Sequence, residues 1–98
     1  MPELNEIIHQ PIRLRIMAAL VTLGKGDELD FTQMRDLLDV TDGNLGAHLR
    51  KLEEASYILV NKSFVDRKPR TYVSATEAGR AAFQNHIAAL QEIIDQNR

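Results

Sequence analysis

The chain has 98 residues, with 12 Lys and Arg against 14 Asp and Glu, a formal net charge of −2 and no cysteine. That length makes one domain, 1–98, with a core modest enough that burying surface in a partner helps it. Disulfides, thiolate metal sites and cysteine nucleophiles are excluded. The longest apolar run, Ile16 to Leu23, is far short of a membrane span, and the acidic start MPELNEIIHQP lacks the basic and apolar regions of a signal peptide. A soluble, cytoplasmic protein with no membrane partner is the expectation.

Pro11 suits the first position of a helix. Apolar residues then fall at Ile12, Ile16, Leu20 and Leu23 until Gly24-Lys25-Gly26-Asp27 stops the pattern, which predicts a buried helix and a loop. ELDF reads as short and extended. Thr32 is a cap for a second helix with Met34, Leu37 and Leu38 on its apolar face. Asp39-Val40-Thr41 connects to a third helix in which Leu45, Leu49 and Leu52 point inward and Asn44, Ala47, Arg50, Lys51 and Glu54 outward. YILVNKSF and TYVSA are strand-like, and the intervening VDRKPR favours a turn, giving a hairpin over 57–75. Thr76 offers a cap for a last helix whose apolar residues are Phe83, Ile87, Leu90 and Ile94. Helices are thus expected at both ends, 1–10 and 77–98.

The net charge hides an asymmetry. Lys62, Arg67, Lys68 and Arg70 lie within nine residues that hold a single acid, Asp66. The third helix raises a separate question. Gly43 and Gly46 stand near its start, and a glycine costs about 1 kcal/mol relative to alanine inside a helix. Small residues at Gly43, Gly46 and Ala47 are useful if a polyanion comes close to the helix N-terminus, with its free N–H groups.

The predicted fold is mainly α with a small β-hairpin: a winged helix-turn-helix, with the paired helices at 32–55, the wing at 57–75 and an added C-terminal dimerisation helix. HQPIRLRIMAAL, DFTQMRDLLDVTDGNLGAHLRKLEEASYI and RKPRTYVSATEAGR resemble the small one-domain winged-helix transcriptional regulators of the MarR/ArsR-like superfamily. The resemblance implies a homodimer with a recognition helix in the major groove and a wing on the backbone or minor groove. It places Thr41 to Asn44 at the start of the recognition helix, gives His48 a position where such sequences often have histidine, and makes Arg67, Lys68 and Arg70 the wing tip. Two residues depart from the pattern. Ser56 stands where glycine is usual, at a left-handed position costing a non-glycine residue about 1–2 kcal/mol. Gly46 stands where a polar residue commonly faces DNA.

The expected DNA-binding set is therefore Thr41, Gly43, Asn44, Ala47, His48, Arg50, Lys51, Arg67, Lys68 and Arg70. Arg50 and Lys51 serve phosphate contact or a solvated face. Asn44 reads adenine or makes a local hydrogen bond. His48 packs against the core edge or touches a base, and Arg13 is expected to pair with an acid. Leu4, Ile7, Ile8, Phe83, Ile87, Leu90 and Ile94 exceed what three short helices and a hairpin can cover, and pairing with a second copy would hide them. The expected partner is a palindromic double-stranded operator, bound by a homodimeric repressor with no cofactor; an effector is unspecified. His9, His48 and His86 lie on separate elements without metal-ligand spacing, and no phosphate loop or nucleophile arrangement is present, so an enzyme is not expected. The alternative is a winged helix that binds protein instead of DNA, which would expose apolar residues on the wing.

Overall fold

The computed structural model describes residues 3–97. Helix α1 (Pro11–Thr22) begins with Pro11 in its first turn, and the Gln10 side chain accepts from the Arg13 N–H at 2.9 Å. Ile16, Met17 and Leu20 are its buried face. Strand β1 (Leu29–Asp30) leads directly into α2 (Phe31–Leu38). The cap of α2 is Asp30, not Thr32: its carboxylate accepts from the Thr32 and Gln33 N–H groups, and Gln33 returns a bond to the Asp30 backbone. This reciprocal capping box satisfies three backbone donors at once, which a Thr32 cap two residues later does not. Leu37, expected inside, is 60% exposed, because the face of α2 turned to the core is carried by Phe31, Met34 and Leu38.

Asp39 closes α2 in the left-handed region (φ 54°), and Thr41 caps α3 (Asp42–Glu54), accepting from the Asn44 N–H at 3.1 Å. Leu45, Leu49 and Leu52 are buried, as their spacing predicts. The helix ends in a Schellman arrangement, Tyr57 N–H to the Leu52 carbonyl and Ser56 N–H to the Glu53 carbonyl, with Ser56 at φ 64°.

Strands β2 (Ile58–Val65) and β3 (Lys68–Ala75) form the hairpin, and β1 pairs with β3, giving an antiparallel sheet in the order β1-β3-β2. The hairpin fills the expected wing, but its strands run further into the segment expected as a turn, with pairing out to Val65 opposite Lys68. Its turn is only Asp66-Arg67, at φ 52° and 67°, the positive pair that a type I′ hairpin turn requires.

Helix α4 (Glu77–Gln96) is capped by Thr76, which accepts from the Gly79 N–H at 2.9 Å and donates to the Ser56 carbonyl at 2.7 Å. Gly79 lies directly on the chain after α3: a Cβ there would sit 2.0 Å from the Tyr57 carbonyl oxygen. Arg80 donates to the carbonyls of Val21, Leu23 and Gly24, tying α4 to the end of α1.

Residues 3–10, ahead of α1, form hydrogen-bonded turns where a helix over 1–10 is expected; residues 1 and 2 lie outside the described residues. The Asn5 side chain accepts from the Ile7 and Ile8 N–H groups, its amide donates to the Tyr57 hydroxyl, and its backbone N–H donates to His86 Nδ1 at 2.9 Å. Local side-chain bonding of this kind competes with helix. Ile8 is fully buried in the protomer's own core, and Ile7 and Phe83 pack against it, so Ile8 offers no surface to a second copy. On α4 the buried line is Gly79, His86 and Ala89, rotated from the predicted one. Ile87 and Ile94 are left exposed and Leu90 half-buried.

Candidate nucleic-acid interface

The outward face of α3 carries Thr41, Gly43, Asn44, Ala47, Arg50 and Lys51, all exposed. A Cβ added at Gly43 or Gly46 would meet nothing within 4 Å, so packing within the protomer does not require either glycine. Among the described residues the Asn44 side chain makes no local bond; only its backbone N–H is used, by Thr41. The start of α3 has an acid of its own, Asp42, whose carboxylate would repel a phosphate. Arg35, reaching across from α2, neutralises it at 2.9 Å while also bonding Asp36. Sequence spacing gave no sign of this contact, because it spans the turn between two helices.

His48 is half-buried, and Arg13 Nη1 lies 3.1 Å from its Nδ1. A guanidinium cannot accept, so Nδ1 must, which fixes the neutral ring with its proton on Nε2. Burial first, and the Arg13 charge second, hold this imidazole below its ordinary pKa. Arg13 also donates to the Ile7 carbonyl. The expected ion pair to an acid is absent among the described residues; Arg13 instead links the N-terminal turns to α3.

Alternation along the hairpin divides the wing cations between two faces. Val60, Lys62 and Phe64 share a face with their cross-strand partners Val73, Thr71 and Pro69. This face meets α3 in an open groove of about 310 Å³ that Gly46, Arg50, Val60, Lys62 and Thr71 help to line. Lys68 and Arg70 belong to the opposite face, paired with Val65 and Ser63. Arg70 donates to Asp30 at 2.9 Å, so it holds the wing to the cap of α2. Its bond is the largest cause holding the Asp30 carboxyl below the usual carboxylate range. The structure therefore brings Arg50 and Lys62 together on one surface, leaves Arg67 and Lys68 exposed at the tip and engages Arg70 internally. Lys62 was legible as a cation but not as part of the α3 surface. Counting every second residue from the buried Ile58 is the signal that finds it.

A helix-turn-helix followed by a two-stranded basic wing defines a winged-helix protein. The chain belongs to the winged helix DNA-binding domain family, matched over residues 12–94. It is similar to an uncharacterized protein of Methanocaldococcus jannaschii, 33% identical over 88 residues that make up 90% of this chain and 92% of the relative. Among solved structures it is similar to a transcriptional regulator homologue from Pyrococcus horikoshii OT3. That match has 34% identity and a TM-score of 0.84, and covers 94% of this chain and 88% of the other. NolR from Sinorhizobium fredii, at 23% identity and a TM-score of 0.62 over 89% of this chain and 76% of its own, shares the fold. No described helix is long and apolar enough to cross a membrane.

Proposed function

We propose that this protein is a sequence-specific transcriptional regulator of the cytoplasm, a homodimer that binds a palindromic double-stranded operator and represses by occupying it. Helix α3 enters the major groove and the wing reaches the backbone and minor groove. The observation that carries this reading is one continuous surface. Two glycines with open space above them, an unengaged Asn44 side chain, and Arg50, Lys51 and Lys62 without an ion pair among the described residues border it, with Arg67 at the tip of the wing beyond. Cations held free of internal partners are available to replace counterions on phosphates.

Dimerisation is supported by the apolar residues that remain outside the core, Leu4, Ile87, Ile93 and Ile94, three of them on α4. A two-fold copy would present its recognition helices to half-sites roughly 34–36 Å apart. The second reading, a protein-binding winged helix, is favoured by a single observation: Phe64 and Val65 are exposed on the wing.

Genome-fragment selection with the purified protein, followed by salt titration of the recovered duplex, tests the proposal. Sequence-selective binding is expected. Arg67→Ala should lower the salt slope by about one unit, whereas Asn44→Ala should lose discrimination at one base pair. A folded protein that retains no fragment above random DNA would move the assignment to the protein-binding reading.

A further inference from the structure

Phe64 is 77% exposed, and the core has no use for its ring. Its placement is more specific than a stray surface aromatic. It follows Lys62 on the face of β2 that meets α3, about 7 Å further out by the rise of a strand. Pro69 stands directly opposite it in the strand register, at the spacing of cross-strand neighbours. The tip beyond it is a turn of only Asp66 and Arg67, short enough to be stiff. Arg67 adopts φ 67°, a region glycine would occupy at less cost, so a guanidinium is retained there against backbone preference. The aromatic is thus bracketed by Lys62 toward α3 and Arg67 at the tip, while its apolar neighbour Val65 belongs to the opposite face.

A protein partner would be met by a contiguous apolar patch; a single ring between cations matches a polyanion that also offers apolar surfaces. The hairpin runs outward from α3, so a duplex that seats α3 in its major groove would meet Lys62 first and Phe64 further along the wing. Resting on the DNA-binding reading above, the geometry points to Phe64 as an apolar wedge. It enters the minor groove beside each half-site, partly unstacks one base step and bends the duplex. Pyrimidine–purine steps unstack most easily, so the wing selects a flexible TA or CA step at a position α3 never touches.

The test uses the full chain and the duplex recovered by selection, with 2-aminopurine placed in turn at each step flanking the half-site. Binding of the wild-type protein should brighten the probe at one flanking step. Phe64→Ala should abolish that signal and weaken binding by about tenfold, with the salt slope and melting temperature unchanged because neither a phosphate contact nor core packing is lost. Phe64→Leu, still a wedge, should keep part of both. If wild type and Phe64→Ala bind the selected duplex equally well and leave the probe equally dark, the wedge is refuted while the DNA-binding reading stands. A wild-type protein that selects no duplex overturns both.

Discussion

Replacing Gly46 by alanine should separate the stability of this protein from its function. Gly46 is the fifth residue of α3, inside the helix, where alanine is favoured by about 1 kcal/mol. No neighbour lies within 4 Å of the added Cβ, so no clash offsets the gain. For a domain of this size, about 1 kcal/mol corresponds to a rise in melting temperature of about 4–8 °C, measurable by circular dichroism. The same methyl would stand on the groove between α3 and the wing, beside Arg50 and Lys62. If that groove closes on duplex DNA, the overpacking costs about 1–3 kcal/mol, or roughly a 5- to 150-fold loss of affinity in a fluorescence-anisotropy titration. A more stable variant with undiminished DNA affinity would falsify the idea that the glycine is kept for close approach. A melting temperature that fails to rise would refute the open-space argument.

Gly79→Ala should act in the opposite sense. Its Cβ would fall 2.0 Å from the Tyr57 carbonyl oxygen, so α4 must shift, and a loss of about 1–3 kcal/mol should appear as a lower denaturation midpoint with an unchanged slope. Ser56→Gly should stabilise by about 1 kcal/mol, because glycine adopts the observed φ of 64° without the Cβ penalty; a midpoint that does not rise would mean that strain at the end of α3 is negligible. The third concerns pH. Burial first, then the neighbouring His9, hold His86 below the ordinary imidazole pKa. The unfolded chain therefore binds more protons, and the contribution to stability is full above the ordinary imidazole range and declines as pH falls through it toward the folded value. Thermal melts between pH 5 and pH 8 should fall less steeply with acid for His86→Gln than for the wild type, with part of the slope remaining from His48, which is shifted in the same direction.

The helices of the core could be read from sequence wherever a period repeated over several turns: α1 after Pro11, α3 through Leu45, Leu49 and Leu52, and the Thr76 cap of α4. What could not be read depends on pairings across the chain. Thr32 and Asp30 are both good caps by type, and the choice falls to Asp30 because it also sits in β1 opposite Tyr72 and receives Arg70 from the wing. Two residues are too short a run to announce β1 as a strand. Ile8 and Ile94 are equally apolar in sequence, but one closes the core and the other stays outside, because Asn5 folds back onto His86. At the wing, the cluster of cations was visible, whereas the separation of Lys62 from Lys68 and Arg70 needed the register of the hairpin. The exposed aromatic was hidden for another reason: Phe64 shares the face of the buried Ile58, and it stays exposed because it lies far out on the hairpin, beyond the reach of the core.

The bond between Asn5 and His86 joins residues 81 positions apart, which sets an order on biosynthesis. Ribosomes release the N-terminal turns first, yet the imidazole that anchors them emerges only after the recognition helix and the wing. Until α4 is made, the Asn5 N–H lacks its acceptor on His86, and the turns that carry the Ile7 carbonyl, to which Arg13 donates, lack that anchor. A nascent chain stalled before α4 would thus carry the whole α3 surface without its final support. If α3 is the DNA-reading element, the support of its surface would therefore be completed only once α4 has been translated.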